Sequence, residues 1–470
     1  MTQALWTSKE VALATSGVAT SDWSASGVSI DTRTLKKGDL FVALHGPTFD
    51  GHDFVAEAMA RGAAAALVDK GGEGANLLKV EDTMTALEAL GRAGRTRSRA
   101  SIIAVTGSVG KTGSKEALKL ALGGQGETCA SVGSLNNHWG VPLSLARLSP
   151  SAAFGVFEIG MNHPGEIHPL SMMVRPNVAL ITTVEAVHSA FFDSDEAIAD
   201  AKGEIFNGIE PGGAAVLNRD NGHYHRLVAA ARASGITRII SFGTGDEADF
   251  RLLEANPDNG GTHIRADLGG SVLTYRLSTP GIHWVLNSLG VLAALAAAGG
   301  NIAEAAEALS DLEAPTGRGR FHLIQTGCGE VTLIDESYNA SPVSMRAAIA
   351  VLGQTRPTGR GRRIAVLGDM LELGSGAASL HGALAEVLVR EGIDLVFTAG
   401  RDMAFLSDAL PPAMRGGHAI NSELLLPMLV ETLAEGDVVV VKGSLGSKTG
   451  LIVQALLGLD AHSKRTVNGD

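Results

Sequence analysis

A chain of 470 residues, 45% apolar and 19% charged, is too long for one hydrophobic core and reads as two to four globular domains. Its formal net charge of −12, with no strongly basic domain, argues against nucleic acid as a partner. Cys129 and Cys328 are far apart, which excludes a disulfide scaffold and fits a reduced cytoplasmic protein. The first residues carry no signal-peptide pattern. The most apolar stretch, Leu289 to Ala298, is about half the ~20 residues a membrane span needs.

Residues 1–99 read as a small α/β unit. Ser8-Lys9-Glu10 opens a helix, Val28 to Arg33 and Asp39 to Leu44 alternate as strands, and Asp50 to Arg61 is helical. Ala64 to Asp69 is a strand, and Thr83 to about Gly94 is a helix. The basic cluster Arg92, Arg95, Arg97 and Arg99 then reads as a solvated linker. Asp31 and Arg33 fit either a surface salt bridge, worth little, or a ligand-facing loop.

The second unit, residues 100–314, opens on the chain's most informative stretch. Ile102-Ile103-Ala104-Val105 is a buried strand, Thr106-Gly107-Ser108-Val109-Gly110-Lys111-Thr112 a glycine-punctuated turn, and Lys115 to Leu120 a helix. Loop N–H groups and the helix dipole favour an anion, Lys111 adds a full positive charge, and Thr112 offers a hydroxyl for Mg²⁺. Val105 stands where the full G-x4-G-K-[ST] pattern has glycine, yet an ATP site is still the reading. Strands at Phe154–Ile159, Val178–Thr183, Ala214–Leu217 and Ile239–Phe242 predict a doubly wound, mainly parallel sheet. Asp249 to Leu277 reads as an antiparallel flap on that sheet, and His283 to Ala298 as a long helix. The third unit, residues 315–470, alternates strand and helix as a Rossmann-like sheet without G-x-G-x-x-G. The fold class is therefore α/β in three domains.

Ligands of open parallel sheets bind at the carboxyl ends of the strands, so polar residues there carry the weight. Glu158 ends an apolar run, where a carboxylate is costly unless paired or metal-bound. His188 follows the next strand, and Lys202 reads locally as a solvated helix lysine. Asn287 inside an apolar helix is a buried amide that needs partners, which a base edge offers. Asp335 to Pro342 and Val441 to Ser444 close buried strands with polar loops.

Taken together and in order, these stretches resemble the Mur ligase family over nearly the whole chain, and within it the branch that adds D-alanyl-D-alanine. The first domain resembles the UDP-binding domain, through Asp31-Thr32-Arg33, Gly38 to Leu44 and Phe49 to Phe54. Gly107 to Thr112 with Lys115-Glu116 resembles the branch's ATP loop, Asn136-Asn137 with Gly140 to Leu143 its substrate loop, and Glu158 to Asn162 its metal segment. Asp335 to Met345 and Val366 to Gly374 are similar to its third domain, the latter the most specific match.

The resemblance implies an ATP-dependent ligase that adds D-alanyl-D-alanine to UDP-N-acetylmuramoyl-tripeptide through an acyl phosphate, in cytoplasmic peptidoglycan precursor synthesis. The alternative is a sister ligase adding a single amino acid. It implies that Lys111, Glu158, His188 and Lys202 are catalytic, and that ATP meets Gly107, Ser108, Val109, Gly110, Lys111, Thr112, Asn287, Asp335 and Arg318 or Arg320. Two Mg²⁺ ions would be held by Thr112, Glu158, His188 and a carbamylated Lys202 (an N6-carboxylysine). Ser29, Asp31, Thr32, Arg33, Asn136, Asn137, Tyr338 and Asn339 would meet substrate. A monomer is expected. The chain departs from the branch at Ser341, Ala190 and Leu445, and at Trp284 in the adenine helix.

Overall fold

The structure is a computed structural model that describes residues 4–71, 74, 76–185, 191, 192, 194–258 and 261–467, with side chains to residue 459. Its architecture follows from three large sheets, besides a two-stranded antiparallel pair of Trp6–Thr7 with Ser24–Ala25. The first has five strands, Val18–Ala19, Leu77–Lys79, Ala65–Val68, Asp39–Val42 and Gly27–Ser29 in spatial order, parallel apart from the first pair. Leu40, Val42, Leu67 and Leu78 pack from it against Leu87 and Leu90 of the helix Thr83–Arg97.

The second sheet has nine strands and carries the phosphate loop. Its centre is Ser101–Thr106, paired in parallel with Phe154–Glu158 on one side and Val178–Ile181 on the other. Alternate residues of this strand enter opposite cores. Ile103 and Val105 meet Leu118, Leu122, Leu289 and Leu292, whereas Ile102 and Ala104 meet Ile167, Val174 and Ile198. Burial on both faces is why the run is continuously apolar. The segment expected as a flap instead prolongs the sheet. Phe250–Asp258 pairs in parallel with Arg238–Gly243, and Gly261–Leu268 and Val272–Leu277 follow antiparallel. Its inward residues Ile264, Ala266, Leu268 and Leu277 join the main core, so the hairpin has its own apolar reason to stay in plane.

The third sheet runs Arg320–Thr326, Gly329–Glu336, Val438–Lys442, Arg363–Gly368, Leu395–Ala399 and Arg415–Ala419. The first pair is antiparallel and the rest parallel. The edge strands Arg320–Thr326 and Arg415–Ala419 were not foreseen. One, Arg-Phe-His-Leu-Ile-Gln-Thr, mixes apolar and polar residues without strict alternation, and the other reads Arg-Gly-Gly-His-Ala, with no apolar run.

The basic cluster is not a solvated linker. The helix continues to Arg97, and Arg95 is buried, donating from Nε to the Val174 carbonyl at 2.7 Å and from Nη2 to that of Arg175 at 2.8 Å. Arg97 lies over the Trp6 ring at 3.4 Å and donates to the Leu5 carbonyl. These carbonyls are long-range partners that charge counting along the chain does not reveal.

Candidate active site

The strand Ser101–Thr106 ends at Gly107, with φ +147°, and the helix Lys111–Gly123 begins after Gly110, with φ +89°. Both values fall where side chains are disfavoured, which accounts for the two glycines. Ser108 Oγ donates to the Glu185 carbonyl at 3.0 Å and accepts from the Glu185 N–H at 2.9 Å, and Thr182 Oγ1 donates to the Val109 carbonyl. The loop is thus fixed from the neighbouring strand end. Lys111 donates to the Gly107 carbonyl at 2.6 Å. Burial holds its ammonium below the ordinary lysine range, Glu158 opposing the shift and Arg318 adding to it.

Glu158 is 1% exposed at the end of its strand. Thr112 Oγ1 donates to its Oε2 at 2.8 Å, Asn136 Nδ2 to its Oε1 at 2.6 Å, and its own N–H reaches Ser131 Oγ at 3.1 Å. A carboxylate and a hydroxyl held together beside an anion cradle are hard oxygen donors, a set that fits Mg²⁺. Asn137 Oδ1 accepts from the Trp139 and Gly140 N–H groups just ahead of and at the start of the helix Gly140–Ala146.

Lys202 is 2% exposed near the end of the helix Asp195–Gly203. It is not the solvated lysine its neighbours suggested. Burial first, then the charge of Lys111, push its ammonium well below the ordinary range. Adding CO₂ needs an unprotonated amine, and burial that disfavours the ammonium is in keeping with the carboxylysine expectation. His188 lies outside the described residues.

A cleft of 930 Å³ opens between the phosphate loop and the third sheet. Lys111, Glu158, Asn136, Asn137, Asn287, Arg318, Tyr338, Asn339, Lys442 and Ser444 are among its walls. Asn287 is half-buried on the wall rather than enclosed, its amide so close to Gly110 that a Cβ there would meet Nδ2 at 2.7 Å. One turn earlier, the buried Trp284 ring covers Gly113, where a Cβ would meet Cη2 at 2.6 Å. The two arginines left open by the sequence separate. Arg318 lies over the Tyr338 ring at 4.2 Å and donates to Ser134 Oγ at 3.4 Å, whereas Arg320 turns away to Glu313 at 3.0 Å.

Asp335 is buried and accepts from the Gly317 N–H at 3.0 Å and from Ser337 Oγ at 2.6 Å, so in this structure it clasps the interdomain link. Lys442, also buried, donates to Glu336 at 3.1 Å and to the Asn339 carbonyl at 2.9 Å.

In the first unit Arg33 donates from Nη2 to Asp31 Oδ2 at 2.6 Å, its side chain 85% exposed. The pair holds the Asp31 carboxyl below the usual range. Thr32 is buried beside it, its carbonyl accepting from Arg61. Ser29 is fully buried and donates to the Asp31 carbonyl, so it supports this turn from beneath.

One residue of the site's frame entered the sequence reading only as part of the ATP-loop resemblance, with no role given to it. Lys115 is 0% exposed and binds the loop that bears Asn136. Lysine four residues after Lys111 in an otherwise apolar helix face was the available signal.

Comparison with known proteins bears on the whole arrangement. Residues 24–95 match the Mur ligase family catalytic domain, 105–296 the Mur ligase middle domain and 319–445 the Mur ligase glutamate ligase domain. A UDP-N-acetylmuramoyl-tripeptide–D-alanyl-D-alanine ligase from Rickettsia prowazekii (strain Madrid E) is 32% identical, over 96% of this chain and 99% of that protein. This chain belongs to the Mur ligase family. The Mur ligase of the same description from Bacillus subtilis (strain 168) is 35% identical over 92% of this chain and 93% of its own. Among solved structures, MurF from Acinetobacter baumannii superposes with TM-score 0.83 at 29% identity, covering 96% of this chain and 99% of that one. MurF ligase from Thermotoga maritima in complex with ADP shares the fold, with TM-score 0.75 at 24% identity over 93% and 98% of the two chains.

Proposed function

We propose that this Mur ligase joins D-alanyl-D-alanine to UDP-N-acetylmuramoyl-tripeptide, consuming ATP and releasing ADP and phosphate, in peptidoglycan precursor synthesis. The observation that carries the reading is the Thr112–Glu158 pair at the mouth of the phosphate loop, in a cleft shared with the third sheet. Full-length similarity to relatives that bear this activity in their names supports it. So does the ADP complex of the Thermotoga neighbour.

In this reading residues 1–99 bind the UDP end of the substrate through Asp31, Thr32 and Arg33, residues 100–314 bind ATP, and residues 315–470 bring the acceptor. Lys111 and the amides of residues 107–112 hold the β- and γ-phosphates, the positive charge of Lys111 offsetting the repulsion an incoming carboxylate meets. Asn287 reads the adenine edge, and Arg318 rather than Arg320 reaches the nucleotide. Thr112 and Glu158 would hold one Mg²⁺, and His188 with a carbamylated Lys202 would hold a second. Bound there, Mg²⁺ withdraws charge from the transferring phosphoryl group. The tripeptide carboxylate attacks the γ-phosphorus and ADP leaves. The amine of D-alanyl-D-alanine then attacks the acyl carbon, expels phosphate and loses a proton. Arg318, Tyr338, Asn339 and Lys442 form the wall that keeps water from the acyl phosphate between the two steps.

The test is phosphate release from ATP and Mg²⁺ with UDP-N-acetylmuramoyl-tripeptide, with and without D-alanyl-D-alanine. Release that requires the dipeptide, matched by UDP-N-acetylmuramoyl-pentapeptide, is the expected result. Release with a single free amino acid instead would transfer the chain to a sister ligase.

A further inference from the structure

Lys115 is a charge placed where solvent does not reach, and all three of its N–H donors are used. Nζ donates to the carbonyls of Ser131 and Gly133, each at 2.8 Å, and meets Glu116 Oε1 at 2.6 Å. An ion pair whose cation is buried and whose carboxylate, on Glu116, is partly exposed is weak evidence for stability, because a well-packed apolar side chain commonly serves as well in place of the cation. What it provides is geometry. The helix that starts at the phosphate loop is joined to residues 131–137, a segment outside the regular elements in which Gly133 adopts φ +56° and Val132 is 62% exposed. The segment is also held by the Ser131 N–H on the Val156 carbonyl at 3.0 Å and by Leu135 packed against the first unit's core, so Lys115 acts on it at Ser131 and Gly133.

The same segment touches the site at three points. Ser131 Oγ accepts from the Glu158 N–H at 3.1 Å, and Asn136 Nδ2 donates to Glu158 Oε1 at 2.6 Å. The Ser134 hydroxyl accepts from Arg318 at 3.4 Å. The Asn136 carbonyl also takes the Gly160 N–H at 2.9 Å. Glu158 has two carboxylate oxygens, and Thr112 holds one and Asn136 the other, which fixes the rotation of its buried head group.

We infer that Lys115 is a positioning residue: through Ser131 and Gly133 it sets the segment that fixes Asn136 on Glu158. It thereby links the orientation of that carboxylate to the helix bearing the phosphate loop. The inference rests on the ligase reading only for its kinetic consequence, since its structural content is a statement about residues 131–137.

The experiment therefore has two readouts. Hydrogen exchange of the free protein compares wild type with Lys115→Met. Exchange at Leu135 and Asn136 rises at least tenfold, while Leu118 to Leu122 of the helix stay protected. The second readout is a cycle with Asn136→Ala on kcat/KM for the UDP-tripeptide and on the Mg²⁺ concentration giving half-maximal rate. Each single change costs about 10–100-fold, as for groups that orient metal-binding side chains. Because both act through one carboxylate, the double variant falls no more than about threefold below Asn136→Ala. Unchanged exchange at residues 131–137, or losses that multiply, would overturn the inference. Should Lys115→Met not fold, Lys115→Gln, which keeps an N–H donor, is read in the same two ways. Loss of dipeptide dependence in wild type would sink the ligase reading and leave the exchange result standing.

Discussion

Thr112 and Glu158, 46 residues apart, share a single hydrogen bond of 2.8 Å between the first turn of one helix and the last residue of a neighbouring strand. The parallel pairing of Ser101–Thr106 with Phe154–Glu158 brings them together. Glu158→Gln keeps the shape and the bond to Thr112 but removes the charge. The expected outcome is a loss of more than about 100-fold in kcat with a raised Mg²⁺ requirement, because the hard anionic donor is gone. Steady-state rates titrated with Mg²⁺ check it, and a melting temperature close to wild type would show the fold intact.

Arg318 and Arg320 should part company in kinetics as they do in space. Arg318→Lys keeps a charge but loses the planar group over Tyr338, so kcat/KM for ATP is expected to fall about tenfold or more. Arg320→Ala, which breaks only an exposed pair with Glu313, should stay within about twofold. Equal losses in the two would refute the assignment.

Lys202→Arg preserves a positive charge and removes the nucleophilic amine. If the carboxylated side chain is what the site uses, this variant is inactive, and wild type in CO₂-depleted buffer loses rate that bicarbonate restores. Intact-mass measurement under native conditions should show one added CO₂ on wild type and none on the variant.

The Asp31–Arg33 pair is exposed, so its contribution to stability is expected to be small. Its sign follows from the lowered Asp31 value. The contribution is present above the ordinary aspartate range, near pH 4, and disappears as pH falls through the lower folded value. Arg33→Ala should therefore leave the unfolding midpoint at pH 7 almost unchanged while raising KM for the UDP substrate at least about tenfold, the size of a lost charge-assisted contact to phosphate. A changed midpoint with unchanged KM would make the pair merely structural.

Arg95→Met tests the link between the first unit and the central sheet. It strands the Val174 and Arg175 carbonyls in a buried place, with an expected cost of about 2–4 kcal/mol. Urea unfolding followed by tryptophan fluorescence is the measurement, and a cost below ~1 kcal/mol would mean water replaces the guanidinium.

The sequence made the phosphate loop and Glu158 readable because each is local: a glycine pattern before a helix, a carboxylate ending an apolar run. The parallel strands were readable for the same reason, as short apolar runs between helices. Arg95 and Arg97 were misread because their partners are carbonyls about 80 to 90 residues away, and nothing in a run of arginines announces those. Lys202 looked solvated in its helix, and only the packed sheet reveals its burial. The Phe250–Leu277 segment carried the correct strand alternation. Its place at the edge of the sheet depended on pairing with Arg238–Gly243, which alternation alone does not encode. Arg318 could not be told from Arg320 until the strand beginning at Arg320 gave the two side chains opposite directions.

The Trp284 ring over Gly113 constrains how this protein can change over generations. With the indole in place, any side chain at position 113 collides with it. With a smaller residue at 284, a hole opens next to the nucleotide cradle. Neither position can drift alone without passing through an intermediate that is either overpacked or hollow. Descendants of this sequence should therefore keep glycine and tryptophan as a pair or exchange both, and the order of exchange is fixed: the tryptophan must go first, because a cavity is survivable where a clash against a rigid ring at a helix start is not.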